Sequence, residues 1–182
     1  NIADSGVGAA WNGTTGTFAT SPIGVSGLNP ASWTITSICL KIVHTWDSDL
    51  IVYLVNPCGQ RILLIKAAGG AGSNFTNTCF TTAAGNVIGS AGNNTAPFSG
   101  TYAPKAGAAA WAAFLACANP NGTWSLTVGD SVGGSTGNID DWTINFSSTN
   151  AVASYAWSPA TNLTSTTTAS TTASPPSTTT YT

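Results

Sequence analysis

Charge is the scarcest property of this 182-residue chain. Asp, Glu, Lys and Arg together make up 5% of it, where an ordinary soluble domain carries about 25%. The surface must therefore be dressed in Thr, Ser, Asn and Gly. The cations are Lys41, Arg61, Lys66 and Lys105, scattered along the chain, and the formal net charge is −2. Nucleic acid, which needs clustered Lys and Arg, is excluded as a partner. Glu is absent: the acids are Asp4, Asp47, Asp49, Asp130, Asp140 and Asp141, so no pair of Glu residues is available for glycosidase chemistry. His44 is the single histidine and the cysteines have no C-x-x-C spacing, which argues against zinc. The longest apolar stretch, Ala108–Ala118, is Ala-rich and well short of the roughly 20 residues that insertion into a membrane requires. No Gly-rich loop runs into a Lys-Ser/Thr phosphate motif.

What is present points outside the cell. Cys39, Cys58, Cys79 and Cys117 are even in number and widely spaced. Two disulfides in an oxidising, extracellular setting are expected, with four buried thiols as the alternative. No signal peptide is visible, so an exported chain is expected to begin after processing. Sequons at Asn12, Asn74, Asn93, Asn121, Asn145 and Asn162 fit glycosylation, although a chain this rich in Asn and Thr forms several by chance.

Alternation with a period of two dominates. In "ICLKIVHTW", Cys39, Lys41, Val43 and Thr45 face one way and Leu40, Ile42, His44 and Trp46 the other. "LIVYLV", 50–55, is a continuous apolar run that reads as a strand buried on both faces. "NPCGQ" follows as a turn and "RILLIK", 61–66, as the return strand, so 50–66 is a hairpin. "FTNTCF", 75–80, is a short strand; 86–104 reads as irregular; Ala106–Cys117 has strong helix propensity for one or two turns. "GTWSLTV" and "DDWTINF" read as an antiparallel pair, with Trp124, Leu126 and Val128 on one face and Trp142, Ile144 and Phe146 on the other strand's face. Many short strands, close turn signals and little helix give an all-β sandwich or barrel. Composition shifts near residue 149. The Thr/Ser/Ala-rich segment 149–182 reads blandly as a linker, but Tyr155 and Trp157 alternate as in a strand and Thr favours strands.

"GDSVGG", 129–134, nearly spells a serine-protease nucleophile loop. A triad of Ser131, His44 and Asp49 can be written down. Val132 stands where glycine should follow the serine, and the segment links two amphipathic strands. It reads as a loop, His44 reads as a packed strand residue, and no catalysis is expected.

"HTWDSDLIVYLVNPCG", "NFTNTCF", "APFSGTYAPKAG" and "NPNGTWSLTVGDSVGGSTGNIDDWTINF", in that order, resemble the P domain (Homo B domain) of subtilisin-like proprotein convertases in its bacterial surface-protein form, over roughly residues 15–148. "SPIGVSGLNP" is similar to the family's first strand. "YAWSPATNLTSTTTASTTASPPSTTTYT" resembles part of an immunoglobulin-like repeat of large bacterial surface proteins. The resemblance implies a jelly-roll-like β-sandwich over 1–148, an extended Thr/Ser-rich segment over 149–182, and a non-catalytic role. It also implies bridges Cys58–Cys117 and Cys39–Cys79. The family-like topology puts the Asp-Leu step at 49–50 and the loop after Val128 at one end, where carboxylates from Asp47, Asp49, Asp130, Asp140 and Asp141 together with loop carbonyls form a candidate oxygen-only site for Ca²⁺; the alternative is that these Asp residues cap turns. "APKAGAAAWAAFLACANP" is more apolar than the family's usual loops. It reads as core, with a contact patch as the alternative.

The expected function is that of a non-catalytic extracellular module, a segment of a surface adhesin or fibre that self-associates through strand contacts or joins neighbouring domains of a longer chain. An accessory domain stabilising a secreted protease is one alternative. Another is a carbohydrate-binding module using exposed Trp11, Trp33 or Trp111.

Overall fold

The computed structural model describes residues 1–148, 156–168 and 170–182. Among the described residues there are eight strands, β1 (Ala19–Val25), β2 (Trp33–His44), β3 (Leu50–Val55), β4 (Arg61–Lys66), β5 (Phe75–Phe80), β6 (Phe98–Tyr102), β7 (Gly122–Asp130) and β8 (Gly137–Ser148), and one α-helix, α1 (Gly107–Phe114). They form two four-stranded sheets, ordered β1-β7-β3-β4 and β6-β5-β2-β8. Only β5 and β6 run parallel among these pairs. The protein is an all-β sandwich, as the alternation predicts.

The core follows from the pattern. On β2, Leu40, Ile42 and His44 are buried while Lys41 and Val43 are exposed. Trp46 breaks the rule at 46% exposure, because β2 ends at His44 and the chain turns into a short 3₁₀ segment, Asp47–Asp49. Residues of both sheets enter one cluster, including Ile38, Leu40 and Phe75 from one and Val52, Leu54, Trp124 and Leu126 from the other. Trp124 lies at its centre with no exposure. Its ring centroid is 5.9 Å from those of Trp33 and Phe114 and 5.3 Å from that of Phe146. Its indole N–H donates to the Pro120 carbonyl at 2.8 Å, so the large apolar body is buried without stranding a donor.

Two expectations need correction. β7 and β8 are not a hairpin: β7 pairs with β1 and β3, and β8 pairs with β2 in the other sheet. Both strands carry an aromatic face, and the two faces meet across the core as opposing layers. The glycine-rich segment 131–136 thus crosses from sheet to sheet. Residues 86–104 are not wholly irregular, since β6 lies within them. "FSGTY" buries Phe98 alone and includes Gly100 at φ 100°, so it has no alternation to read; its partner β5 supplies the order.

The large side chains of the apolar segment after β6 join the core, while Ala108, Ala109, Ala110, Ala112 and Ala113 are exposed. Trp111 and Phe114, three residues apart on α1, are buried with Cys117. The N–H groups of Lys105 and Ala106 donate to the carbonyls of Leu64 and Leu63 at 3.0 and 3.1 Å, covering the outer edge of β4 against unwanted pairing. Two disulfides tie the sandwich. Cys39–Cys79 joins directly opposed residues of β2 and β5. Cys58–Cys117 joins the β3–β4 turn to the chain leaving α1. In that turn the Asn56 side-chain carbonyl accepts from the N–H groups of Cys58 and Gln60. Among the described residues no helix is long and apolar enough to cross a membrane.

The chain divides into two compact units, Asn1–Thr149 and Asn150–Thr182. In the second, Leu163 bridges Ala173, Ser158 and Thr182 exchange backbone bonds of 2.9 Å, and the Trp157 indole donates to the Thr168 carbonyl at 2.8 Å. Tyr155, one half of the expected Tyr155–Trp157 alternation, lies outside the described residues.

Candidate functional site

The polar chemistry of the sandwich gathers at one end. β2 delivers His44 there, the 3₁₀ segment delivers Asp47 and Asp49, and β7 delivers Asp130, which sits opposite Leu50 in the β3–β7 register. The His44 and Asp130 side chains are fully buried, with Nε2 3.3 Å from Asp130 Oδ2 but out of hydrogen-bond alignment. His44 Nδ1 is 2.9 Å from the Trp46 carbonyl, which fixes the ring. Asp47 is buried too. Its Oδ1 accepts from the Asn74 N–H at 3.0 Å, and its Oδ2 has no partner. Burial pushes the Asp47 carboxyl up to about 6, against the opposing pull of the Asn74 N–H and the His44 charge. Asp49, half-buried, is raised by burial and then by the Asp130 charge, with His44 and Ser48 pulling the other way.

This end is sealed by the first residues of the chain. Ile2, fully buried, exchanges backbone bonds with Gly137 at 2.7 and 3.4 Å. Asp4 Oδ1 accepts from the Gly134 N–H at 2.8 Å, and the Val7 N–H donates to the Asp130 carbonyl at 2.8 Å. Trp11 lies flat on Gly129, where a Cβ would fall 2.6 Å from its ring. At Gly137 a Cβ would fall 2.1 Å from the Val43 carbonyl oxygen and 2.7 Å from the His44 ring; only glycine lets β8 approach so closely. Sequence reasoning missed this strap and both close approaches. Residues 3–17 are mostly Gly, Ala and Thr, without period or charge pattern, and nothing in them signals a seal.

The protease-like triad does not assemble. Ser131 gives its N–H and its hydroxyl to the Asp49 carbonyl, each at 2.7 Å, and His44 addresses Asp130. The five expected metal ligands do not converge. Asp47, Asp49 and Asp130 share the sealed end, whereas Asp140 and Asp141 lie on β8, where Asp140 pairs with Lys41 at 3.0 Å. Calcium takes about six to eight oxygens. Two buried carboxylate oxygens there, Asp47 Oδ2 and Asp130 Oδ2, have no hydrogen-bond partner, and among the described residues no group of three His, Cys, Asp or Glu is placed to hold a metal ion. The sugar-stacking candidates are also used elsewhere: Trp11 and Trp111 are buried, and Trp33 is half-buried against Trp124 and Phe146.

A second feature carries no titratable chemistry. β1 and β8 are the terminal strands of their sheets and flank an open groove of about 500 Å³. Ile23, Val25 and Leu28 line one wall and Trp142, Ile144 and Phe146 the other. The Trp142 indole donates to Ser21 Oγ at 3.0 Å and ties the walls together. No residue lining the groove is charged.

Comparison with known proteins agrees with this architecture. The chain is similar to leupeptin-inactivating enzyme 1 of Streptomyces exfoliatus, with 29% identity over 126 residues that cover 69% of this chain and 22% of that protein. It thus spans about a fifth of that relative's length. No solved structure matches. The model of the proprotein convertase P-domain matches residues 35–146, from near the start of β2 to the core-facing Phe146 of β8. With more than half of the chain matched and both disulfides lying between those limits, the chain belongs to the proprotein convertase P-domain family.

Proposed function

We propose that this P domain holds and joins rather than transforms: it is a non-catalytic extracellular module, a segment of a surface adhesin or fibre whose copies associate through strand contacts. The observation that carries the reading is the uncharged groove between two terminal strands. A strand entering it would satisfy free backbone groups and cover apolar walls without desolvating an ion. The two disulfides fit an oxidising setting outside the cell. The experiment is light scattering on the intact chain over a wide concentration range. Assembly beyond the monomer is expected, and a monomer at every concentration would reject it.

A second reading has its own support. The Streptomyces relative is named as an enzyme, and the matched region is 22% of its length, so the module could serve as an accessory domain that stabilises a secreted hydrolase. A chain that stays monomeric and raises the melting temperature of an adjoining enzyme domain would favour this reading over assembly.

A further inference from the structure

We propose that the β1/β8 groove is the acceptor for the C-terminal segment, residues 156–182, of a second copy of this chain. The inference rests on the assembly reading above and names the surface and the occupant.

Three observations select the groove. First, among the described residues β8 is hydrogen-bonded in a sheet only to β2, and β1 only to β7; both are sheet edges, and an edge strand carries an outer row of backbone N–H and C=O groups, broken in β1 at Pro22. Such rows are templates for an added strand. Second, the outer side of β8 already takes an added segment at its start, where Ile2 bridges Gly137 through both backbone bonds. Third, the strand's defences are uneven. Asp140, Asp141 and a break in register guard its first half, whereas Trp142–Ser148 has no charge and no proline. That unguarded half forms the apolar wall, with Ile144 and Phe146 only half-buried.

The occupant is selected by charge and chemistry. Residues 142–182 contain no Asp, Glu, Lys, Arg or His, so segment and groove match as two neutral surfaces, and their union buries no ion. The segment is rich in Thr, a residue that suits a strand laid on an exposed edge, and Leu163 and Tyr181 provide side chains for the apolar walls. A basic or acidic partner strand would gain nothing from walls without counter-charges.

The test uses the full chain and two groove variants. Ile144→Lys puts an ammonium on the apolar wall. Gly24→Arg places a long cation at a position on β1 where a Cβ meets no atom within 4 Å, so the fold tolerates it. Ala109→Lys, on the exposed face of α1, is the control. Association is measured by light scattering and fold by circular dichroism and thermal melting, with a synthetic 156–182 peptide as competitor. Burying an unpaired charge should weaken association at least about tenfold in both groove variants, while the control assembles like the parent and the peptide dissociates the complexes. If the parent assembles and folded Gly24→Arg assembles equally well, the groove is not the acceptor, although the assembly reading survives. If the groove variants fail but the peptide does not compete, the occupant is another segment and this assignment falls. If the parent never assembles, the assembly reading and this inference fall together.

Discussion

The sandwich and the C-terminal unit are held together by different forces. Asn1–Thr149 is organised around a continuous apolar cluster of both sheets, with Trp124 at its centre and two disulfides across it. The described part of Asn150–Thr182 contributes no residue to that cluster. Many of its bonds are between Thr and Ser groups, such as Thr164 N–H to the Thr172 carbonyl at 3.0 Å and Thr171 Oγ1 to the Ser165 carbonyl at 2.6 Å, and most of its side chains are exposed. A net hydrogen bond is worth about 0.5–1.5 kcal/mol and less where water competes, whereas a buried large side chain contributes several times that. The first unit is therefore expected to open only globally, and the second to open locally at small free energy. A segment that opens easily is available for pairing with another copy.

That contrast can be broken most forcefully at Trp124. Trp124→Ala should destabilise the sandwich by about 3–5 kcal/mol in chemical denaturation, while Trp157→Ala, aimed at the C-terminal unit, should leave the main unfolding transition in place. Next comes Cys58→Ser with Cys117→Ser. Losing that bridge, which closes a loop with a sequence separation of 59, should cost about 2–4 kcal/mol. Hydrogen-exchange protection of residues 156–182, which lack cysteine, should not change.

A smaller effect lies in pH. The Asp47 carboxyl has its folded-state value raised from 3.8 to about 6 by burial. Between those values the folded protein binds the proton more tightly than the unfolded chain does, so this group's stabilising contribution is present below about pH 4 and is lost as pH rises through 6. Asp47 should thus make the sandwich about 1–3 kcal/mol less stable at pH 7 than at pH 4. Asp47→Asn should flatten that slope. The C-terminal unit, without a carboxylate side chain or histidine, should show no counterpart in its protection factors. The smallest expected effect is that of chelation: because the acids at the sealed end do not form an ion cage, EDTA should leave the melting temperature where it is. A chelator-induced drop would restore calcium to the account.

Legibility followed burial. β2, β3 and β4 were readable because one-sided or two-sided burial writes directly into residue type: Leu40, Ile42 and His44 inward, and Leu50–Leu54 nearly all buried. The pairing of β7 with β8 was misread because alternation reveals which face is apolar but not whether that face lies beside its partner or opposite it. Trp124 and Phe146 meet across layers, and one-dimensional pattern has no sign for that. β6 was hidden because its order comes from its neighbour β5. At the sealed end, His44 as a packed strand residue was readable from alternation. Its facing Asp130, and the glycines Gly129 and Gly137 that let Trp11 and β8 close over it, depend on contacts between segments far apart in sequence. Likewise, the groove follows from the strand order, which puts β1 and β8 at the ends of different sheets.

The claim that this module joins copies of itself meets its most direct test in size-exclusion chromatography with light scattering, run on the intact 18.2 kDa chain and on a version lacking residues 150–182. The account predicts masses above the monomer for the intact chain and a folded monomer for the shortened one. The same number of copies per particle for the two, whether both monomeric or both assembled, would contradict it.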